Sequence, residues 1–151
     1  MKLSSKGLYG VQAIFDLAFH AENGAAQVKD ICGRQAIPPR FLEQVFQDLR
    51  RAGLVTSKRG PRGGYQLALP PERIRIGDVL RALAGPIHLL PSARGRDALD
   101  SPSYRVAERT FEALSSRIEE SFDAVTIAEM CRRAEAMGIA RKAVPAYVYA
   151  I

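Results

Sequence analysis

The chain has 151 residues, 47% of them hydrophobic, enough for one cored domain with an appendage; its apolar runs fall short of the ~20 residues a spanning helix needs. A net charge of +6 and a pI near 9.7 favour a polyanionic partner. Two cysteines, Cys32 and Cys131, exclude a disulfide framework, and the N-terminal lysines are not followed by the apolar core of a signal peptide, so a cytoplasmic location is expected.

In chain order, Ser4–Asn23 is predicted as a helix, with Leu8, Val11, Phe15 and Ala18 at three- and four-residue steps and Asn23-Gly24 as its stop. Val28–Gln35 is a second, short helix. Pro38-Pro39 opens a third, because proline is tolerated in a first turn. Its apolar face is Leu42, Val45, Phe46 and Leu49, its polar face carries Arg40, Glu43, Gln47 and Arg50 or Arg51, and Gly53 ends it. The tight link between these helices suggests a helix-turn-helix, with Ala36 at a turn position where glycine would be more comfortable.

Leu54–Lys58 and Tyr65–Leu69 then read as two strands of a hairpin around "KRGPRGG". Glycine-rich loops also cradle nucleotide phosphates, but such a loop leads into a helix and carries Gly-Lys-Ser/Thr, whereas this one leads into an alternating strand. Alone it would be equally well a solvated hairpin tip; after a helix-turn-helix it is the wing of a winged helix. The third helix would enter a major groove, and the wing would lie on the backbone or in the adjacent minor groove. Gly60, Gly63 and Gly64 would take positive φ and let the main chain approach phosphates, with charge from Lys58, Arg59 and Arg62. Charge distribution agrees. Residues 1–80 hold 12 Lys/Arg against 7 Asp/Glu, and residues 81–151 hold 10 against 9.

Ile76–Ala84 is a further helix, stopped by Gly85-Pro86. Pro86–Asp100 lacks periodicity and reads as a linker. Ser101-Pro102 caps a long helix whose stripe is Tyr104, Ala107, Phe111, Leu114, Ile118, Phe122 and Val125. The stripe could pack within one monomer; a helix of about 20 residues, about 30 Å long, favours a two-fold seam between copies. Thr126–Glu129 is a capping box for a last helix ended by Gly138, and an apolar tail follows. The expected fold is mainly α with a small β-hairpin. A winged helix-turn-helix over 1–85 precedes a linker or effector loop over 86–101, a dimerisation helix and following helix over 102–138, and a tail over 139–151.

"MKLSSKGLYGVQAIFDLA", "IPPRFLEQVFQDLRRAGLVTSKRGPRGGYQLA" and "IRIGDVLRALAGP" closely resemble the Rrf-type family of bacterial transcription regulators, which includes the IscR, NsrR and CymR regulators. The resemblance is strong from Met1 to about Pro86 and holds only in plan beyond. It implies a homodimer that binds palindromic double-stranded DNA, usually as a repressor. It places Arg40, Glu43 and Gln44 at the reading end of the recognition helix and Arg59 and Arg62 in the wing, with Lys58 adding charge beside Gly63. Lys6, Tyr9 and Lys29 would touch phosphates. Glu43 can accept from a cytosine amino group, or be a plain surface carboxylate.

Two departures from the family stand out. Many members hold an iron–sulfur cluster through three cysteines, and here Ala84–Ser103 contains none, only His88, Asp97 and Asp100, so no metal or other cofactor is expected. Leu8 stands where members often carry arginine, so one phosphate contact would be absent. The resemblance is therefore to the cluster-free branch, which answers a small molecule, a protein partner or thiol oxidation; a signal at the linker would change the angle between the two heads. Cys32 is expected as a small buried side chain, and Cys131 either as the same or as a thiol sensor. His20 suits a helix C-terminus and His88 a loop. No nucleophile–base motif points to an enzyme. The alternative reading is a winged-helix protein-interaction module that regulates through a partner, with weak or no specific DNA binding.

Overall fold

The computed structural model describes residues 3–21, 24–90 and 101–141. Helix α1 (Ser5–His20) starts on Ser4, whose hydroxyl accepts the Gly7 N–H at 3.1 Å, and ends at His20, before the expected Asn23-Gly24 stop. Val11, Ile14, Leu17 and Phe19 are buried, because the helices over 28–35, 39–51, 76–84 and 127–136 and the hairpin all pack around this helix. His20 is itself buried in the last turn. Helix α2 (Val28–Gln35) meets α3 (Pro39–Arg51) through Ala36, whose φ of 54° and ψ of 38° are left-handed. It is the one non-glycine residue with positive φ among those described.

That conformation costs an L-residue about 1–2 kcal/mol, against about 0.5–1 kcal/mol of extra chain entropy for glycine. Ala36→Gly is therefore expected to stabilise the protein by about 0.5–1 kcal/mol and raise Tm by about 2–3 °C, read by calorimetry.

Leu42, Val45, Phe46 and Leu49 of α3 are fully buried, as their spacing requires. Gly53 (φ 76°) turns the chain into strand β1 (Val55–Lys58), which pairs antiparallel with β2 (Gly64–Leu67) in the register Val55↔Leu67 and Lys58↔Gly64. The second strand thus starts and stops earlier than its alternation implied. A third edge joins the hairpin. Ala26, before α2, exchanges both backbone hydrogen bonds with Tyr65, at 2.8 and 2.9 Å.

A 3₁₀ turn (Pro71–Arg73) leads to α4 (Ile76–Ala84), capped by the Asp78 carboxylate accepting from the Arg75 N–H at 3.0 Å. Helix α4 packs closely on α1 at Gly10, where a methyl would collide with Leu83. Helix α5 (Pro102–Asp123) has no buried residue, while α6 (Ile127–Ala136) puts Ile127, Cys131 and Ala134 into the same core as α1 and α3. So α6, grouped by sequence with the helix before it, shares the core of the winged body. The expected linker begins as a strap on α5: the Ile87 N–H donates to Glu119 Oε1 at 2.8 Å and the Leu89 N–H to Ser115 Oγ at 3.4 Å. The rest of that segment, 91–100, and the tail from 142 lie outside the described residues. Among the described residues no helix is long and apolar enough to cross a membrane.

Candidate nucleic-acid interface

The apolar face of α3 is buried, so its other face must be solvent-facing. Arg40, Phe41, Glu43, Gln44 and Gln47 are exposed there. Behind this face Phe46 stacks on Tyr65, ring centroids 4.3 Å apart and 6° from parallel. Tyr65 is also the residue that pairs with Ala26, so one side chain fixes the base of the wing to α3 and one peptide fixes it to the approach to α2. Arg50 adds a bond from its guanidinium to Ser57 Oγ at 3.3 Å.

The wing tip holds Lys58, Arg59 and Arg62, all exposed. Its shape is set by a turn in which the Gly63 N–H donates to Gly60 O at 2.9 Å, and by Gln27, whose side-chain amide donates to Pro61 O at 3.1 Å. Gly60 and Gly64 take positive φ, as expected. Gly63 does not: it is needed for space, since a Cβ there would overlap the Lys58 carbonyl.

The cations divide into two groups. Among the described residues no ion pair engages Arg40, Lys58, Arg59 or Arg62, so their charge is uncompensated. Lys6 instead holds Asp48 of α3 at 2.6 Å, and Arg51 reaches the same carboxylate at 3.0 Å. Lys6 is the main reason the Asp48 carboxyl lies below its ordinary range against the opposing effect of burial; Arg51 and Gln44 assist. Lys6 thus anchors α1 to α3 within the chain, and Gln44 is drawn to the same carboxylate. Tyr9 is half-buried, its ring edge-on to Phe41 at 5.2 Å. Lys29 is exposed at the start of α2, and Leu8 is 48% exposed. Sequence reasoning missed Asp48 and Gln27. Beside Arg51, Asp48 reads as an ordinary i,i+3 surface pair, and the partners that give the two residues their place, Lys6 and Pro61, lie 42 and 34 residues away.

A transcription-regulator family model described as "Rrf2: Iron-dependent Transcriptional regulator" matches residues 3–133. The chain belongs to the Rrf2 family of transcriptional regulators. It is 39% identical over 130 residues to the HTH-type transcriptional regulator IscR of Aliivibrio salmonicida, covering 86% of this chain and 77% of that protein. The solved structure of T. potens IscR superposes with a TM-score of 0.74 at 39% identity, over 94% of both chains. That of CymR, the global cysteine regulator of B. subtilis, has a TM-score of 0.69 at 33% identity, over 88% of this chain and 98% of that one. These proteins are regulators, not enzymes, and the winged-helix fold expected from the sequence is theirs.

The family's description names iron, but the described residues of this Rrf2 chain do not fit an iron site. Cys32 sits half-buried on α2 and Cys131 buried on α6, and burial pushes both thiols up, away from the thiolate that iron requires. Among the described residues no three His, Cys, Asp or Glu side chains come close enough to hold a metal ion. His88 is exposed after α4, and Asp97 and Asp100 lie outside the described residues. A buried, raised thiol at Cys131 also argues against oxidant sensing there.

Proposed function

We propose that this Rrf2 chain is a homodimeric, sequence-specific DNA-binding repressor that works without an iron–sulfur cluster. Each protomer presents one α3 and one wing to a half-site of a palindromic operator. The observation that carries this reading is the aromatic stack of Phe46 on Tyr65, which makes the exposed face of α3 and the unpaired basic tip one rigid unit. Arg40, Glu43 and Gln44 then read base edges, and Arg59 and Arg62, with Lys58 and the close-turned Gly63, follow the backbone or the narrow groove beside it. Lys29 and Tyr9 lie on phosphates. Lys6 contributes through Asp48, by setting α1 against the recognition helix.

Dimerisation is supported by the upper half of α5. Phe111 and Leu114 are 41% and 40% exposed, and Tyr104 and Ala107 lie on the same side of the helix; Val106, 68% exposed, lies off this stripe. Ile118 is half-covered, and Phe122, at the lower end of the expected seam, packs on the chain's own core, while Val125 bonds to α4 through its carbonyl. The intermolecular seam is therefore Tyr104 to Leu114, shorter than the sequence stripe. Repression follows from operator occupancy, with the signal carried by a small-molecule or protein effector.

Selection from a random duplex library tests the function. A defined palindrome is expected; salt-sensitive binding with no preferred sequence would support the interaction-module reading instead. On the selected operator, Arg59→Ala is expected to cost about 1–3 kcal/mol of binding. Glu43→Ala should relax base preference more than it lowers affinity; an unchanged selected sequence would remove Glu43 from the reading set.

A further inference from the structure

We propose that Arg81 is a positioning residue: clamped between α4 and α5, its guanidinium fixes the dimerisation helix against the reading head and so sets the half-site spacing that the dimer selects. The inference rests on the dimeric-operator reading above and deepens it.

Just beyond the C-terminal end of α5, the link into α6 joins the head by two backbone bonds. The Ile76 N–H donates to Val125 O at 2.9 Å and the Ile127 N–H to Ile74 O at 2.9 Å. Two bonds so close together form a pivot rather than a clamp. Phe122 packs on the core close to this pivot and the strap at Ile87 and Leu89 lies along α5; the charged attachment between α4 and α5 is Arg81. One terminal nitrogen donates to Asp123 Oδ1 at 2.7 Å, the other lies 3.6 Å from Glu119 Oε2, and Asp78 on α4 is 3.0 Å away. Asp123 and Glu119 are one turn apart on α5, so the guanidinium grips a length of helix and resists tilting. Gly77 allows the close approach, since a methyl there would collide with the Asp123 carboxylate. Glu119 also accepts from Ile87, which ties the strap into the same cluster.

The charge balance makes Arg81 decisive. Among the described residues no second cation pairs with Asp78, Glu119 or Asp123. Without the guanidinium, three carboxylates would face one another across the α4–α5 contact and push it open. The consequence is amplified by leverage. Phe111, on the proposed seam, lies about 21 Å along α5 from the pivot at Val125. A tilt of about 10° would move it by about 4 Å, roughly the 3.4 Å step between base pairs. Slack at Arg81 therefore becomes ambiguity in the distance between the two reading heads.

The test uses the full chain and operators carrying the selected half-sites with spacers changed by one or two base pairs in either direction. Wild type is expected to prefer one spacing by about tenfold or more. R81Q is expected to select the same half-site sequence and sediment as a dimer, yet to discriminate spacings by less than about threefold. R81K should restore part of the preference, and D123N, which leaves Arg81 in place, should weaken it in the same direction. Should R81Q fail to fold, D123N decides. Unchanged spacing preference in the folded variants overturns the inference while leaving the dimeric reading intact. A wild type that selects no spaced palindrome overturns the dimeric reading, and this inference with it.

Discussion

Asp16→Ala is expected to cost about 3–5 kcal/mol of folding stability, out of the ~5–15 kcal/mol a domain of this kind possesses. The Asp16 side chain is completely buried in α1. Both of its oxygens are used: Arg34 Nε lies 3.2 and 2.9 Å from them, Arg34 Nη2 donates to Oδ1 at 2.6 Å, and Gln35 Nε2 donates to Oδ2 at 2.9 Å. Arg34 is only 11% exposed, and the carboxylate's hydrogen bonds push its guanidinium pKa up despite burial. Alanine would leave a buried guanidinium without its counter-charge and the Gln35 amide without an acceptor. Because Arg34 and Gln35 end α2, the loss also loosens the turn that aims α3. Urea denaturation of the purified variant reads the change as a lower midpoint at similar slope. A loss below about 1 kcal/mol would mean that the pair contributes no more than a surface salt bridge.

The second large effect is on assembly. Replacing both Phe111 and Leu114 with glutamate is expected to give a folded monomer whose operator affinity is about 10²- to 10⁴-fold lower, because the second half-site no longer benefits from linkage to the first. The fold should survive, since α5 contributes no fully buried residue and the winged body has its own core. Sedimentation gives the mass, and operator titration gives the affinity. A dimer that persists in this variant would place the interface elsewhere and remove α5 from the account.

Much of the winged body was legible because its determinants are local. The four apolar positions of α3 recur at helical spacing and are all fully buried, Pro39 opens that helix, and Ala36 stands in the one turn where its left-handed φ betrays a preference for glycine. What escaped the sequence depends on distant partners. Asp16 sits in an apolar run of α1 and reads as a misplaced charge until Arg34, eighteen residues later, is seen beside it. Tyr65 was visible as a strand residue, but its stack on Phe46 and its pairing with Ala26 require the packed fold. The stripe on α5 shows the limit most clearly. Its period is continuous from Tyr104 to Val125, yet Phe122 packs within the chain while Phe111 and Leu114 are exposed, and periodicity alone does not tell an internal neighbour from a second copy. The same holds for α6, whose amphipathic face is evident but whose place beside α1 is not.

In candidate-site terms, the residue types at the wing were readable and their division of labour was not. Lys6 and Arg59 are both cations in basic surroundings. Only the structure separates the one paired with Asp48 from the one left unpaired. Likewise Gly63 was expected for its backbone freedom and is required for its lack of a side chain.

In the proposed complex, α3 and the wing of each protomer grip duplex DNA as a unit, twice per dimer. Hydroxyl-radical footprinting of both strands of the selected operator tests it most directly. Two symmetric sets of protections are expected, each with a wing-dependent block beside the α3 site that disappears in an Arg59→Ala, Arg62→Ala double variant. A single unsymmetric footprint, or a wild-type pattern that the double variant leaves unchanged, would contradict it.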